Sequence, residues 1–115
     1  MNVGLNLVVL RVSDLGRSSE FYRAIGLSFT TERHGDGPEH LVAECRGIVF
    51  ELYPLLDGSS SAGTRIGFSI SSVEVAVENI KAAGGVIHVA PKLTAFGVRA
   101  VAIDPDGHRV ELSQT

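Results

Sequence analysis

Apolar and polar positions follow two rhythms along this chain, an alternation with period two and a stripe with period near four, and they occur twice in the same order. Leu5 to Val12 is a run apolar enough for a strand buried on both faces. Ser13-Asp14 offers N-cap oxygens to a helix over Leu15 to Ile25, with Leu15, Phe21, Tyr22 and Ile25 as its apolar stripe and Gly26 as its stop. Leu27 to Glu32 reads as a second strand, Arg33 to Pro38 as a polar turn and His40 to Glu44 as a third strand. Arg46-Gly47 then turns the chain into Ile48 to Tyr53, the fourth.

Asp57-Gly58-Ser59-Ser60-Ser61-Ala62-Gly63 has nothing to bury and reads as a flexible connector. Beyond it the pattern restarts. Arg65 to Ile70 predicts a strand, and Ser71-x-x-Glu74 a capping box opening a helix with Val73, Val77 and Ile80 on one face and Gly84-Gly85 at its end. Val86 to Ala90 predicts a strand closed by Pro91, and Val98 to Ile103 and His108 to Ser113 a hairpin around Asp104-Pro105-Asp106-Gly107. In that turn Pro105 presets φ, Asp106 can bond its own backbone, and Gly107 supplies a positive φ. Val110 and Leu112 fall on one face of the last strand, Arg109 and Glu111 on the other.

Each half is β-α-β-β-β, and offsets support a duplication. A shift of 58 lays Leu7 on Arg65, Ser13 on Ser71 and Ala24-Ile25-Gly26 on Ala82-Ala83-Gly84. A shift of 60 lays Gly47 to Leu52 on Gly107 to Leu112, where both segments read Gly-x-x-[Phe/Val]-Glu-Leu. The expected architecture is α+β: one domain over residues 1–115, in which modules 1–56 and 64–115, joined by connector 57–63, form an open, cup-like mixed sheet with helices outside. Equivalent residues would meet across a pseudo-twofold axis, pairing Glu51 with Glu111 and Leu7 with Arg65 in a concave cleft of the kind that binds ligands.

A chain of 115 residues can bury about two thirds of its unfolded surface in one core. A net charge of -3 and scattered arginines leave no basic track for nucleic acid. Cys45 is the lone cysteine, which excludes an intrachain disulfide, suits a reducing cytoplasm and reads as a small buried hydrophobe. Residues 1–12 carry neither a basic leader nor a cleavage pattern, and no apolar run is long enough to span a membrane. Neither a nucleophile–base pairing, a phosphate-cradling glycine loop nor a dinucleotide fingerprint is legible.

Gly4-Leu5-Asn6 running to Val12-Ser13-Asp14-Leu15, Phe21-Tyr22-Arg23 with Gly26-Leu27, and Asp104 to Leu112 together resemble the vicinal oxygen chelate superfamily, which includes glyoxalases, bleomycin-resistance proteins and extradiol dioxygenases. The resemblance covers essentially the whole chain. It implies paired modules, a homodimer and, in metal-dependent members, a divalent ion held by two histidines and one or two glutamates at equivalent strand positions. The two glutamate positions match Glu51 and Glu111. The two histidine positions do not: Leu7 and Arg65 stand there. Leu7 has no donor atom, and Arg65 is always cationic. Two carboxylates alone are not the mixed nitrogen and oxygen set that suits Ni, Zn or Fe. The expectation is therefore no cofactor, with a divalent metal as the alternative.

Glu51 and Glu111 are read as ion-pair partners of Arg65, a residual metal pair or a ligand-binding pair. Leu7, Val9, Glu51, Tyr53, Arg65, Phe96 and Glu111 are the candidate ligand-binding residues. Catalytic residues are not assigned. His34 is expected in solvent, His108 on the helix-packing side with Val110, and His40 and His88 on strands where they could face the cup; a substitute metal site of His40 with Glu51 has no spacing signature. Three functions compete. One is a metal-independent protein binding a small organic molecule, as bleomycin-resistance proteins do. The second is a divalent-metal lyase, isomerase or dioxygenase, and the third a non-catalytic interaction or regulatory domain.

Overall fold

Two four-stranded sheets carry the chain. In the computed structural model, which describes every residue except Asp57, the order is β1 (Leu7–Val12), α1 (Leu15–Ala24), β2 (Thr30–Glu32), β3 (His40–Cys45), β4 (Ile48–Pro54), β5 (Arg65–Ile70), α2 (Val73–Ala82), β6 (Val86–Thr94), β7 (Gly97–Ile103) and β8 (Arg109–Gln114). The sheets run β1-β4-β3-β2 and β5-β8-β7-β6, with β1 parallel to β4, β5 parallel to β8 and the remaining pairs antiparallel. The α+β pair of β-α-β-β-β units expected from the repeat is what the chain forms. The duplication extends to register. Leu7 pairs with Val49 and Val9 with Glu51, while Arg65 pairs with Arg109 and Gly67 with Glu111, the same two rungs under the shifts of 58 and 60.

Alternation decides which side of each sheet is covered. Leu10 and Val12, Phe50 and Leu52, Ala100 and Ala102, and Val110 and Leu112 point to the helix side and are buried. There they meet Phe21, Tyr22 and Ile25 from the first helical segment and Val73, Ala76, Val77 and Ile80 from α2 in one shared core. The modules interlock through aromatic rings. Tyr22 packs edge-on against Phe50 at 5.1 Å, and Phe50 meets Phe68 of the second module at 5.6 Å, perpendicular. A least extent of 23 Å corresponds to two layers, and no helix lies over the opposite face of either sheet.

Several expectations are corrected. β1 is not buried on both faces: Leu7 is 49% and Val9 36% exposed, because only the helix side of this edge strand is covered. The first helix ends at Ala24, and Leu27 does not begin β2; its N–H closes the helix onto the carbonyl of Tyr22. The second helix has no capping box, for its N-cap is Ser72, whose hydroxyl accepts from the N–H of Val75. Ser72 is the counterpart of Asp14, the N-cap of α1, under the shift of 58. Pro91 does not close β6, which continues to Thr94 through two register shifts. An edge strand can spare the missing N–H.

Turns behave as their residues dictate. Arg46 and Gly47 both have positive φ, 50° and 87°, the two-residue hairpin turn whose twist suits flanking strands. Gly107 has φ 91°, but the turn's internal acceptor is Asp104 and not Asp106. Asp104 Oδ1 accepts from the N–H groups of Asp106 and His108 at 3.0 and 2.9 Å. Asp106 reaches across to the first module, accepting from the N–H of Ser13 at 2.9 Å.

Candidate functional site

Each uncovered sheet face carries its own chemistry. On the second sheet Arg65, Gly67, Arg109, Glu111, Arg99 and Val101 share the open side, set there by the alternation that turns Ile66, Val110 and Leu112 to the core. Arg65 donates from Nε to Glu111 Oε2 at 2.8 Å and from Nη2 to the same oxygen. Arg99 Nη2 donates to Glu111 Oε1 at 3.2 Å. Glu111 is thus held between two guanidinium groups, and the ion pair expected for Arg65 forms with the carboxylate of its own sheet. Arg65 itself is largely exposed. These residues line a recess of about 360 Å³ with His88, Val89, Lys92, Thr94, Val101 and Arg109. Four cationic side chains and a single carboxylate line a cavity in a chain whose net charge is -3.

On the first sheet the open side is apolar at one edge and imidazole-rich at the other. Leu7 and Val9 stand beside Glu51, which is half-buried and makes no ion pair with any described residue. His40 lies flat against Tyr53, ring centroids 4.1 Å apart and 12° from parallel, and the Arg11 guanidinium sits 5.2 Å from the Tyr53 ring centre. Glu51 and Glu111 occupy equivalent points on separate sheets and share no bonded partner. Phe96 lies in the β6–β7 turn, 82% exposed, and does not line the cationic recess.

The donors at the superfamily's ligand positions do not fit its metal centre. Leu7 offers no lone pair, Arg65 is a permanent cation, and the Glu111 carboxylate is bonded to two arginines. Only Glu51 is left with uncommitted oxygens, one ligand where three or four are needed.

Sequence reading missed a buried polar chain. Tyr22 donates its hydroxyl to Asp104 Oδ2 at 2.7 Å, the same oxygen lies 2.7 Å from His108 Nδ1, and His108 Nε2 lies 2.6 Å from Ser61 Oγ. With Nδ1 donating to the carboxylate, a neutral ring presents Nε2 as acceptor to the Ser61 hydroxyl. Ser61 Oγ in turn accepts the Arg11 N–H at 2.8 Å. Asp, His and Ser have the order of a hydrolytic triad, but this hydroxyl is bonded on both sides and His108 is fully buried. It is a clasp between α1, β1, the connector and the β7–β8 turn. Burial raises the Asp104 pKa, but the hydrogen bonds of His108 and Tyr22 outweigh it and hold the carboxyl below its usual range. Burial, then the charge of Asp104, push the Tyr22 phenol far up. The connector is therefore anchored at Ser61; Asp57, its first residue, lies outside the described residues. No sequence spacing signals the clasp, because Ser61 and His108 are 47 positions apart.

A wider recess of about 810 Å³ opens between the end of α1, the β3–β4 turn and the start of α2. It holds none of the candidate residues. Cys45 on its wall has a thiol whose pKa is raised by partial burial and by Glu44, so it is not an activated nucleophile. No helix among the described residues is long and apolar enough to cross a membrane.

Residues 4–112 match the family model described as the glyoxalase/bleomycin resistance protein/dioxygenase superfamily. The chain is 30% identical to a probable lactoylglutathione lyase of Vibrio cholerae, over 92% of this chain and 86% of that protein. It is 36% identical to a lactoylglutathione lyase of Arabidopsis thaliana, over 93% of this chain but 42% of that protein, so it spans less than half of that relative. Among solved structures, an antibiotic binding protein of Streptomyces superposes with a TM-score of 0.78 at 20% identity, covering 98% of this chain and 96% of that one. A glyoxalase/bleomycin resistance protein of Streptomyces gives 0.76 at 21% identity, covering 96% of this chain and 100% of that one. At such identities these structures show the shared fold alone.

Proposed function

The chain belongs to the glyoxalase, bleomycin resistance protein and dioxygenase superfamily, and within it we propose that it binds a small organic anion on the open face of its second sheet, without the superfamily's usual metal centre. The observation that carries this reading is Arg65, a cation at a metal-ligand position, pinned by Glu111 in a recess that also contains Arg99, Arg109 and Lys92. Pinning orients the guanidinium through Nε and Nη2 and leaves the Nη1 hydrogens to donate. Val89 and Val101 add apolar wall. A carboxylate or phosphonate on an apolar body matches that combination.

The test is calorimetric titration of metal-free protein with a panel of aliphatic and aromatic carboxylates and phosphonates. Losing one charge-assisted contact costs roughly 1.5–3 kcal/mol, so Arg65→Ala should weaken the best ligand about 10- to 150-fold. A panel with no binder, or a binder indifferent to Arg65→Ala, would overturn the proposal. The two lactoylglutathione lyases favour a second reading, a divalent-metal lyase. Lactoylglutathione formation that depends on added Ni or Zn and is lost in Glu51→Gln would establish it instead; the donor set speaks against it.

A further inference from the structure

We propose that Glu32, His34 and His40 form a binding site for a divalent transition-metal ion at the outer edge of the first sheet, apart from the superfamily's ligand positions. The three donor atoms lie within 4.8 Å of one another. Glu32 Oε1 is 3.4 Å from His34 Nε2 and 3.8 Å from His40 Nε2. A tetrahedral ion with bonds of about 2.0–2.1 Å holds its ligands roughly 3.3–3.5 Å apart, so the two spacings from Glu32 are close to that and the His34–His40 separation, within 4.8 Å, closes by side-chain rotations. Those rotations fall to Glu32 and His34, which are exposed; His40 is fixed.

His40 is what separates this group from an ordinary surface cluster. Its residue is 1% exposed, and its Nε2 is the one buried side-chain nitrogen or oxygen without a hydrogen-bond partner among the described residues. The Glu32 oxygen at 3.8 Å is too far to be that partner. His40 Nδ1 sits 3.1 Å from the Pro38 carbonyl, so Nδ1 carries the proton and Nε2 keeps a free lone pair 3.8 Å from Glu32 Oε1. A metal-binding histidine is oriented this way, by a carbonyl behind its other nitrogen. The flat stack on Tyr53 locks the ring plane. The fold brings the donors together by pairing Glu32 with His40 across β2 and β3, while His34 returns from the turn between them.

Two imidazoles and one carboxylate suit Zn, Co, Ni or Cu better than Mg or Ca, and three protein ligands leave a coordination position open. The site does not rest on the anion-binding proposal, since none of its residues lines the cationic recess. The experiment uses untagged protein titrated with ZnCl₂ against a competing chromophoric chelator, with the Co²⁺ adduct's visible spectrum as a second readout. The expected result is one ion per chain, weakened at least tenfold by His34→Ala and by Glu32→Gln, both exposed positions that leave the fold intact by circular dichroism. Glu111→Gln should leave the affinity unchanged. Absence of stoichiometric binding, or binding that survives both substitutions, would overturn the site. A Co²⁺ spectrum that is octahedral and identical in the His34→Ala variant would do the same.

Discussion

Replacing Asp104 by asparagine tests whether the clasp between the modules is electrostatic or merely a matter of shape. The carboxylate accepts four hydrogen bonds, from the Tyr22 hydroxyl, His108 Nδ1 and the N–H groups of Asp106 and His108. Asparagine preserves volume, and its oxygen can keep the two backbone bonds. Its NH₂ then faces two donors, so the Tyr22 hydroxyl must turn away and His108 must change tautomer. Both partners are buried, and water cannot compensate. Removing one member of such a pair costs about 3–5 kcal/mol; tautomer exchange recovers part of it, leaving about 2–4 kcal/mol. For a chain of this size that is a fall in Tm of roughly 8–20 °C. The pH dependence gives a second arm. Because the folded carboxyl is held below its usual range, its stabilisation is complete above the unfolded value of about 3.9 and is lost as pH falls through the lower folded value. Urea unfolding followed by circular dichroism should show the wild-type advantage full at neutral pH and shrinking below about pH 4. An Asp104→Asn protein within about 1 kcal/mol of wild type at pH 7, or a gap undiminished at the acid limit, would refute the electrostatic account.

Two contrasts test the local packing. A Cβ added at Gly85 would sit 2.5 Å from Ile80 Cγ2 and 3.0 Å from the Ile80 carbonyl, whereas at Gly67 the nearest atom is 3.9 Å away; thermal denaturation should show Gly85→Ala losing about 1–3 kcal/mol and Gly67→Ala no clash cost. At the start of α2, Ser72→Ala should cost about 1 kcal/mol by chemical denaturation while Ser71→Ala stays within about 0.5 kcal/mol, and equal losses would contradict the assignment of the cap.

The fold was legible because its carriers are local. Alternation in Ile48 to Tyr53 and His108 to Ser113, the stops at Gly26 and Gly84, and the shifts of 58 and 60 are properties of short segments. Errors cluster where a neighbour decides. Pro91 reads as a terminator because sequence does not reveal that β6 is an edge strand, and Leu5 to Val12 reads as doubly buried because apolarity is silent about which faces are covered. Site chemistry was legible in residue type but not in partnership. Arg65 and Glu111 could be named as partners because the repeat lays Leu7 on Arg65 and Glu51 on Glu111 and so marks both as cleft positions, while their place on neighbouring strands of one sheet could not be read. Residue type alone allows His40 with Glu51, yet the structure sets His40 against Tyr53 and beside Glu32, since register across β2 and β3 cannot be read from the intervening turn. The Tyr22–Asp104–His108–Ser61 chain joins three segments, and no periodicity encodes such a meeting.

Duplication explains why one chain can present two unlike faces. The rungs Leu7–Val49 and Arg65–Arg109 occupy the same place in the two sheets, as do Val9–Glu51 and Gly67–Glu111. The glutamate persists in both copies while its surroundings diverge, from aliphatic in the first to guanidinium in the second. The helix sides could not diverge in this way, because Phe50, Leu52, Val110 and Leu112 all serve one core and a charge there would be buried without a partner. Freedom to change chemistry therefore lay on the open faces alone. On the second face arginines bracket Glu111 and line a cationic recess; on the first, Glu51 has no ion-pair partner among the described residues and the histidines gather at the far edge. The two sites proposed above accordingly draw on separate residues, the cationic recess on the second face and Glu32, His34 and His40 at the edge of the first.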